Sequence, residues 1–155
     1  MPILRRSGKR FFFNIVGHDP SQSILDEVHE DVIVHGYVDD LEPFYRDSVA
    51  SVIPLFHGGG TRHKALESLT YCTPIISTQI GVEGIGLQDT SHYWRAETAE
   101  EFAQQILSTV EDREGARSRV VTARNDLQEV LSWNAIGAKL RSNYKKLILN
   151  NSSTS

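Results

Sequence analysis

The sequence is short of several things. Its 155 residues include one cysteine, Cys72, and one methionine, Met1. A single thiol cannot close an internal disulfide, so the fold must rest on its own core, and a reducing compartment is the simpler home. No stretch approaches the ~18 uninterrupted apolar residues that cross a bilayer. The start, Met1-Pro2-Ile3-Leu4-Arg5-Arg6, is followed too soon by Lys9 and Arg10 to make a signal peptide. These absences point to the cytoplasm or to the inner face of its membrane. Dense clusters of Lys and Arg are missing too, and the formal charge is -4, so no nucleic-acid surface is expected. Any anion has to be gripped locally.

What is present is alternation. Phe11-Phe12-Phe13-Asn14-Ile15-Val16 is a nearly continuous apolar run stopped by Gly17, and it reads as a buried strand. Helical spacing from Ser21 to His29 leads to a second strand, Val32 to His35, closed by Gly36. The pattern repeats with a short helix from Asp40 to Asp47, a strand from Val49 to Leu55, a helix from Thr61 to Tyr71 and a strand from Ile75 to Thr78. A glycine-punctuated loop from Gly81 to Gly86 and an extended piece from His92 to Arg95 precede three helices, Ala99 to Val110, Arg113 to Leu131 and Trp133 to Leu149. This order predicts one α/β domain with a parallel sheet and helices on both faces. Residues Asn150 to Ser155 read as a disordered tail.

Parallel sheets bind ligands beyond the carboxyl ends of their strands, here the loops that start at Gly17, Gly36, Phe56 and Gln79. The richest is Phe56-His57-Gly58-Gly59-Gly60-Thr61-Arg62-His63-Lys64-Ala65-Leu66-Glu67. Three residues without side chains let main-chain N–H groups approach a bulky anion. The helix behind them offers the positive end of its dipole, with Thr61 as its N-cap, and Arg62 and Lys64 add full charges. Glu67 lies one turn from His63 and Lys64, where a carboxylate can accept hydrogen bonds from ribose hydroxyls. The residues alone equally allow a surface ion pair of Lys64 with Glu67 beside a tight turn. Around this segment His57, Gly17, His18 and Glu83 are further candidate contacts. His29, His35, His57 and His63 lack metal-ligand spacing, so no metal is expected.

Four stretches together are more specific than a glycine-rich loop. They are Gly36-Tyr37-Val38-Asp39-Asp40, the strand end Pro54-Leu55, the segment from Gly58 to Glu67, and Pro74-Ile75-Ile76-Ser77-Thr78 followed by Gly81, Glu83 and Gly84. In order and spacing they resemble the carboxy-terminal domain of the family 4 retaining glycosyltransferases of GT-B architecture. The resemblance implies a Rossmann-like domain over residues 1–149, half of a GT-B fold, that binds a nucleoside-diphosphate sugar and needs no cofactor. It implies donor contacts from Gly58, Gly59, Gly60, Thr61, Arg62, Lys64 and Leu66, with Glu67 on the ribose. A glutamate that many members carry near the donor sugar is Gly59 here, and a glycine that usually ends the motif helix is Cys72. The left-handed cap would then strain Cys72.

Family members also begin this domain with a strand, a turn and a helix, and precede it with an acceptor-binding domain. Met1 to Arg6 resembles the end of that helix. The expectation is therefore a fragment, a split-gene product or an isolated domain. Such a chain binds a donor but hardly catalyses alone, and it self-associates through an uncovered sheet edge unless a partner covers it. The alternative is a non-catalytic nucleotide-sugar-binding module that docks on a separate acceptor-binding subunit.

Overall fold

The computed structural model describes residues 1–152; the end of the expected tail, residues 153–155, lies outside them. In chain order the elements are α1 (Pro2–Arg5), β1 (Phe13–Val16), α2 (Gln22–Leu25), β2 (Val32–Gly36), α3 (Glu42–Arg46), β3 (Ser51–Ile53), α4 (His63–Thr70), β4 (Ile75–Ser77), a 3-10 turn (Ile80–Val82), β5 (Trp94–Arg95), α5 (Ala99–Glu111), α6 (Arg113–Leu131) and α7 (Trp133–Ser152). The alternating α/β order is as the apolar runs predict. The early elements are shorter than the sequence suggests: α2 has one turn and β3 three residues. The helix expected from Asp40 to Asp47 starts only at Glu42, whose N–H is held by the Asp40 carboxylate at 2.9 Å.

The strands pair in parallel, β1 with β2, and β3 with β4 and β4 with β5. They form two sheets, ordered β1-β2 and β3-β4-β5, where the sequence suggests one. The second sheet is the covered one. All three residues of β4 are buried, and the two-residue alternation of a strand sends its neighbours to opposite sides. Ile75 joins a cluster with Ile53, Ala65, Leu69, Val120, Ala123 and Leu127, so α4 and α6 cover that face. Ile76 joins Ala96 and Phe102, so α5 covers the other. Burial on both faces explains why β4 reads as an unbroken apolar run.

The first sheet is barer. Phe12, just ahead of β1, is 56% exposed, and no residue of β1 is fully buried, although its sequence reads as a buried strand. The reason is topological, since β1 has a strand on one side only. Elsewhere local chemistry sets the boundaries. Thr98 and Glu101 form a reciprocal capping box that starts α5, and the Asp112 side chain accepts from the Gly115 N–H to start α6. Among the described residues no helix is long and apolar enough to cross a membrane.

Candidate functional site

β3 ends at Ile53 and feeds the turn Phe56 to Arg62, which is exposed up to Thr61. Gly58 has φ +138° and Gly60 φ +90°, backbone conformations that side chains disfavour, so the turn needs glycine at both. Gly59 differs. Its φ is unexceptional and an added Cβ there would meet nothing within 4 Å. The turn hands the chain to α4, which begins at His63 with Arg62 as its N-cap residue. Thr61 is therefore not the cap expected from the sequence; its carbonyl instead accepts the His63 N–H at 2.9 Å. No side chain caps α4; the Arg62 carbonyl takes the N–H groups of Ala65 and Leu66, so among the described bonds the Lys64 N–H is the first-turn donor left open, to water or to an anion.

The two cations of the segment divide. Lys64 is exposed beside the turn. Arg62 is only 7% exposed, donating to the Gly58 carbonyl at 3.4 Å and to Glu83 Oε2 at 3.3 Å. Its Nε is buried without a partner. The guanidinium thus ties the glycine turn to the loop after β4, and it brings together two residues, Arg62 and Glu83, that the sequence offers as separate contacts. Leu66 is half-buried against the core.

Glu67 is half-buried one turn into α4. Its Oε2 accepts the Tyr45 hydroxyl at 2.8 Å, so its described partner is a tyrosine of α3 rather than Lys64. Burial, and then the bond to the carboxylate, push the Tyr45 hydroxyl well above the ordinary phenol range, which keeps it a donor. Tyr45 stacks on Tyr71, ring centroids 5.3 Å apart, and its carbonyl accepts Thr73 Oγ1 at 2.9 Å. One carboxylate oxygen is thereby fixed. Sequence reasoning misses Tyr45, because a contact spanning 22 residues across a crossover leaves no periodic trace.

The remaining candidates stand at strand ends. Gly17 follows β1, and its N–H meets the Gly36 carbonyl at 2.9 Å. His18 and Asp19 pair at 2.8 Å with side chains 72% and 92% exposed, and the His18 ring meets Tyr37 edge-on at 6.0 Å. His57 is exposed in the turn after β3. Gly81 turns out to be a packing glycine. A Cβ there would fall 3.0 Å from Ile53 Cγ2 and 3.1 Å from the Ile53 carbonyl, and closer still to Ser77 Oγ. No group of three or more His, Cys, Asp or Glu side chains placed to hold a metal occurs among the described residues.

Cys72 has φ +53°, the left-handed cap that its position predicts. Its Sγ accepts from Arg124 Nη1 at 3.3 Å, and it packs on the core edge. It also borders a cavity of about 690 Å³, whose walls include Asp47 to Val49 ahead of β3, Cys72 to Pro74 ahead of β4, and Arg113, Arg117 and Arg124. That cavity sits at the amino ends of the strands, away from the glycine turn.

Parallel strands flanked by helices, with a glycine turn running into the N-terminus of α4, define a Rossmann-like α/β domain. The chain belongs to the family of glycosyl transferases group 1, whose model matches residues 1–112, from α1 through α5 and including the whole segment from Gly58 to Glu67. Glycosyl transfer is thus the class of function that the chain's family supports. A comparison with curated proteins finds no match.

Proposed function

We propose that this chain is the donor-binding half of a retaining glycosyltransferase of GT-B type, holding a nucleoside-diphosphate sugar on the segment from Gly58 to Glu67. The observation that carries the reading is the pairing of an uncapped helix N-terminus behind a positive-φ glycine turn with a carboxylate, Glu67, held one turn away by Tyr45. The main-chain N–H groups and exposed Lys64 face the diphosphate and offset the charge that grows on it as the sugar leaves. Glu67 Oε1 accepts from the ribose hydroxyls while Tyr45 steadies Oε2. Arg62 keeps the turn in shape through Gly58 and Glu83 rather than gripping phosphate directly.

Transfer also needs an acceptor held against the donor in a water-poor cleft. In this reading an acceptor-binding domain or subunit supplies the other wall, and residues 1–155 alone bind donor without turning it over. Calorimetric titration of a panel of nucleoside-diphosphate sugars tests the assignment. At least one binds, and Glu67→Ala weakens it by about 10- to 100-fold, the worth of a charged hydrogen bond. Binding indifferent to Glu67, or no binding by any donor, contradicts it.

A further inference from the structure

We propose that the cavity at the amino ends of the strands is a second anion site, separate from the glycine turn, that takes the terminal phosphate of a phosphorylated small molecule. At about 690 Å³ it has the size of a small-molecule pocket, and its walls come from α3, α4, α5, α6 and the loops ahead of β3 and β4. α6 contributes Arg113, Arg117 and Arg124. At 3.6 residues per turn, steps of four and then seven residues keep all three on one side of the helix. The charges there are unbalanced. Arg46, also on the wall, is already paired with Glu42, and Asp47 forms no ion pair among the described residues. The side chains of Arg113 and Arg117 have no described partner. Arg124 Nη1 donates to Cys72 Sγ at 3.3 Å, a weak acceptor that leaves its charge unmatched.

The chain carries 20 acidic residues against 16 Lys and Arg, so carboxylates are plentiful, yet none is set against these three arginines. Like charges one turn apart on a helix repel, and a bound anion removes that repulsion. Two guanidinium groups at that spacing can each fork onto the oxygens of one phosphate. A phosphomonoester offers them three free oxygens and a charge of about −2. The diphosphate of a nucleotide sugar is esterified at both ends and presents no such group. The cavity therefore selects a terminal phosphate and leaves the donor to the glycine turn. This inference rests on the arginine wall and not on the donor reading, so either can fail alone.

The test uses the full chain at physiological salt, where weak surface attraction is screened. Inorganic phosphate is titrated while amide and arginine side-chain signals are followed by NMR. Signals of Arg113, Arg117 and Cys72 shift together and saturate. The double variant Arg113→Gln, Arg117→Gln weakens phosphate at this site by about tenfold or more, and Arg117→Lys, which keeps the charge without the fork, weakens it less. Both variants keep the urea midpoint and the nucleotide-sugar affinity of the parent chain. Shifts that never saturate, or an affinity that the double variant leaves unchanged, overturn the proposal. So does a nucleotide sugar that displaces phosphate from the arginines, because the cavity would then be the donor site. Vesicles containing phosphatidic acid present the same phosphomonoester on a bilayer, and the chain is expected not to sediment with them. Sedimentation that the double variant abolishes would make a lipid the source of the phosphate and overturn the small molecule.

Discussion

At the residue scale, Cys72 just after α4 and Gly81 in the 3-10 turn after β4 are constrained in different ways. Cys72 holds φ +53° after the helix, a conformation that costs a non-glycine residue roughly 1–2 kcal/mol. Its core contacts and the Arg124 bond compensate in part. Cys72→Gly should leave stability unchanged or raise it by up to about 1 kcal/mol, whereas Cys72→Val, β-branched in the left-handed region, should lose about 2 kcal/mol. Urea midpoints read both, and a Gly variant clearly weaker than the Val variant would contradict the strain. Gly81 is constrained by space rather than dihedral. Gly81→Ala drives a methyl group towards the Ile53 carbonyl and Ser77 Oγ, and should cost about 1–3 kcal/mol in the same assay. Neither effect depends on ligand.

The candidate site was partly legible at this scale. The glycine turn and the helix face that carries Lys64 and Glu67 could be read, because both are set by short spacings along the chain. The fate of Arg62 was not, since nothing local says that a side chain at an N-cap folds under the turn to meet Glu83. Tyr45 and the tight packing at Gly81 were hidden for the same reason, being contacts between elements.

At the scale of elements, each helix is held by what its ends find. α1 is only four residues long and is moored by Arg5, whose guanidinium donates to both carboxylate oxygens of Asp31 at 2.6 and 2.5 Å. These bonds hold the Asp31 carboxyl down to about 2 from the usual 3.8. A depressed carboxylate stabilises the fold above its unfolded value and loses that contribution as pH falls through the folded one. The mooring is therefore complete above about pH 4 and goes as pH falls towards 2. Carboxyl carbon shifts followed by NMR should place the Asp31 midpoint near 2, and a midpoint close to 3.8 would show that the pair does not form in solution. Element types were legible, because short continuous apolar runs stopped by glycine and helical stripes differ plainly. Lengths were not: α2 and α3 keep only the turns that tertiary contacts support.

At the scale of the whole molecule, the domain is well covered around β4 and open around β1. The sequence predicts one sheet because its apolar runs are all alike; it does not say which run sits beside which. The order β1-β2 and β3-β4-β5 makes visible a break that composition cannot carry. Two recesses then compete for an anionic ligand, the glycine turn ahead of α4 and the arginine-lined cavity at the amino ends of the strands. The uncapped helix N-terminus and the Tyr45–Glu67 pair favour the first.

Whether the donor sits on the segment from Gly58 to Glu67 can be read residue by residue from amide-resolved NMR during titration with a nucleoside-diphosphate sugar. The prediction is that Gly58, Gly59, Gly60, Lys64 and Glu67 shift together and saturate, while Arg113, Arg117 and Arg124 stay still. Shifts confined to those three arginines, with the glycine turn unmoved, would contradict it.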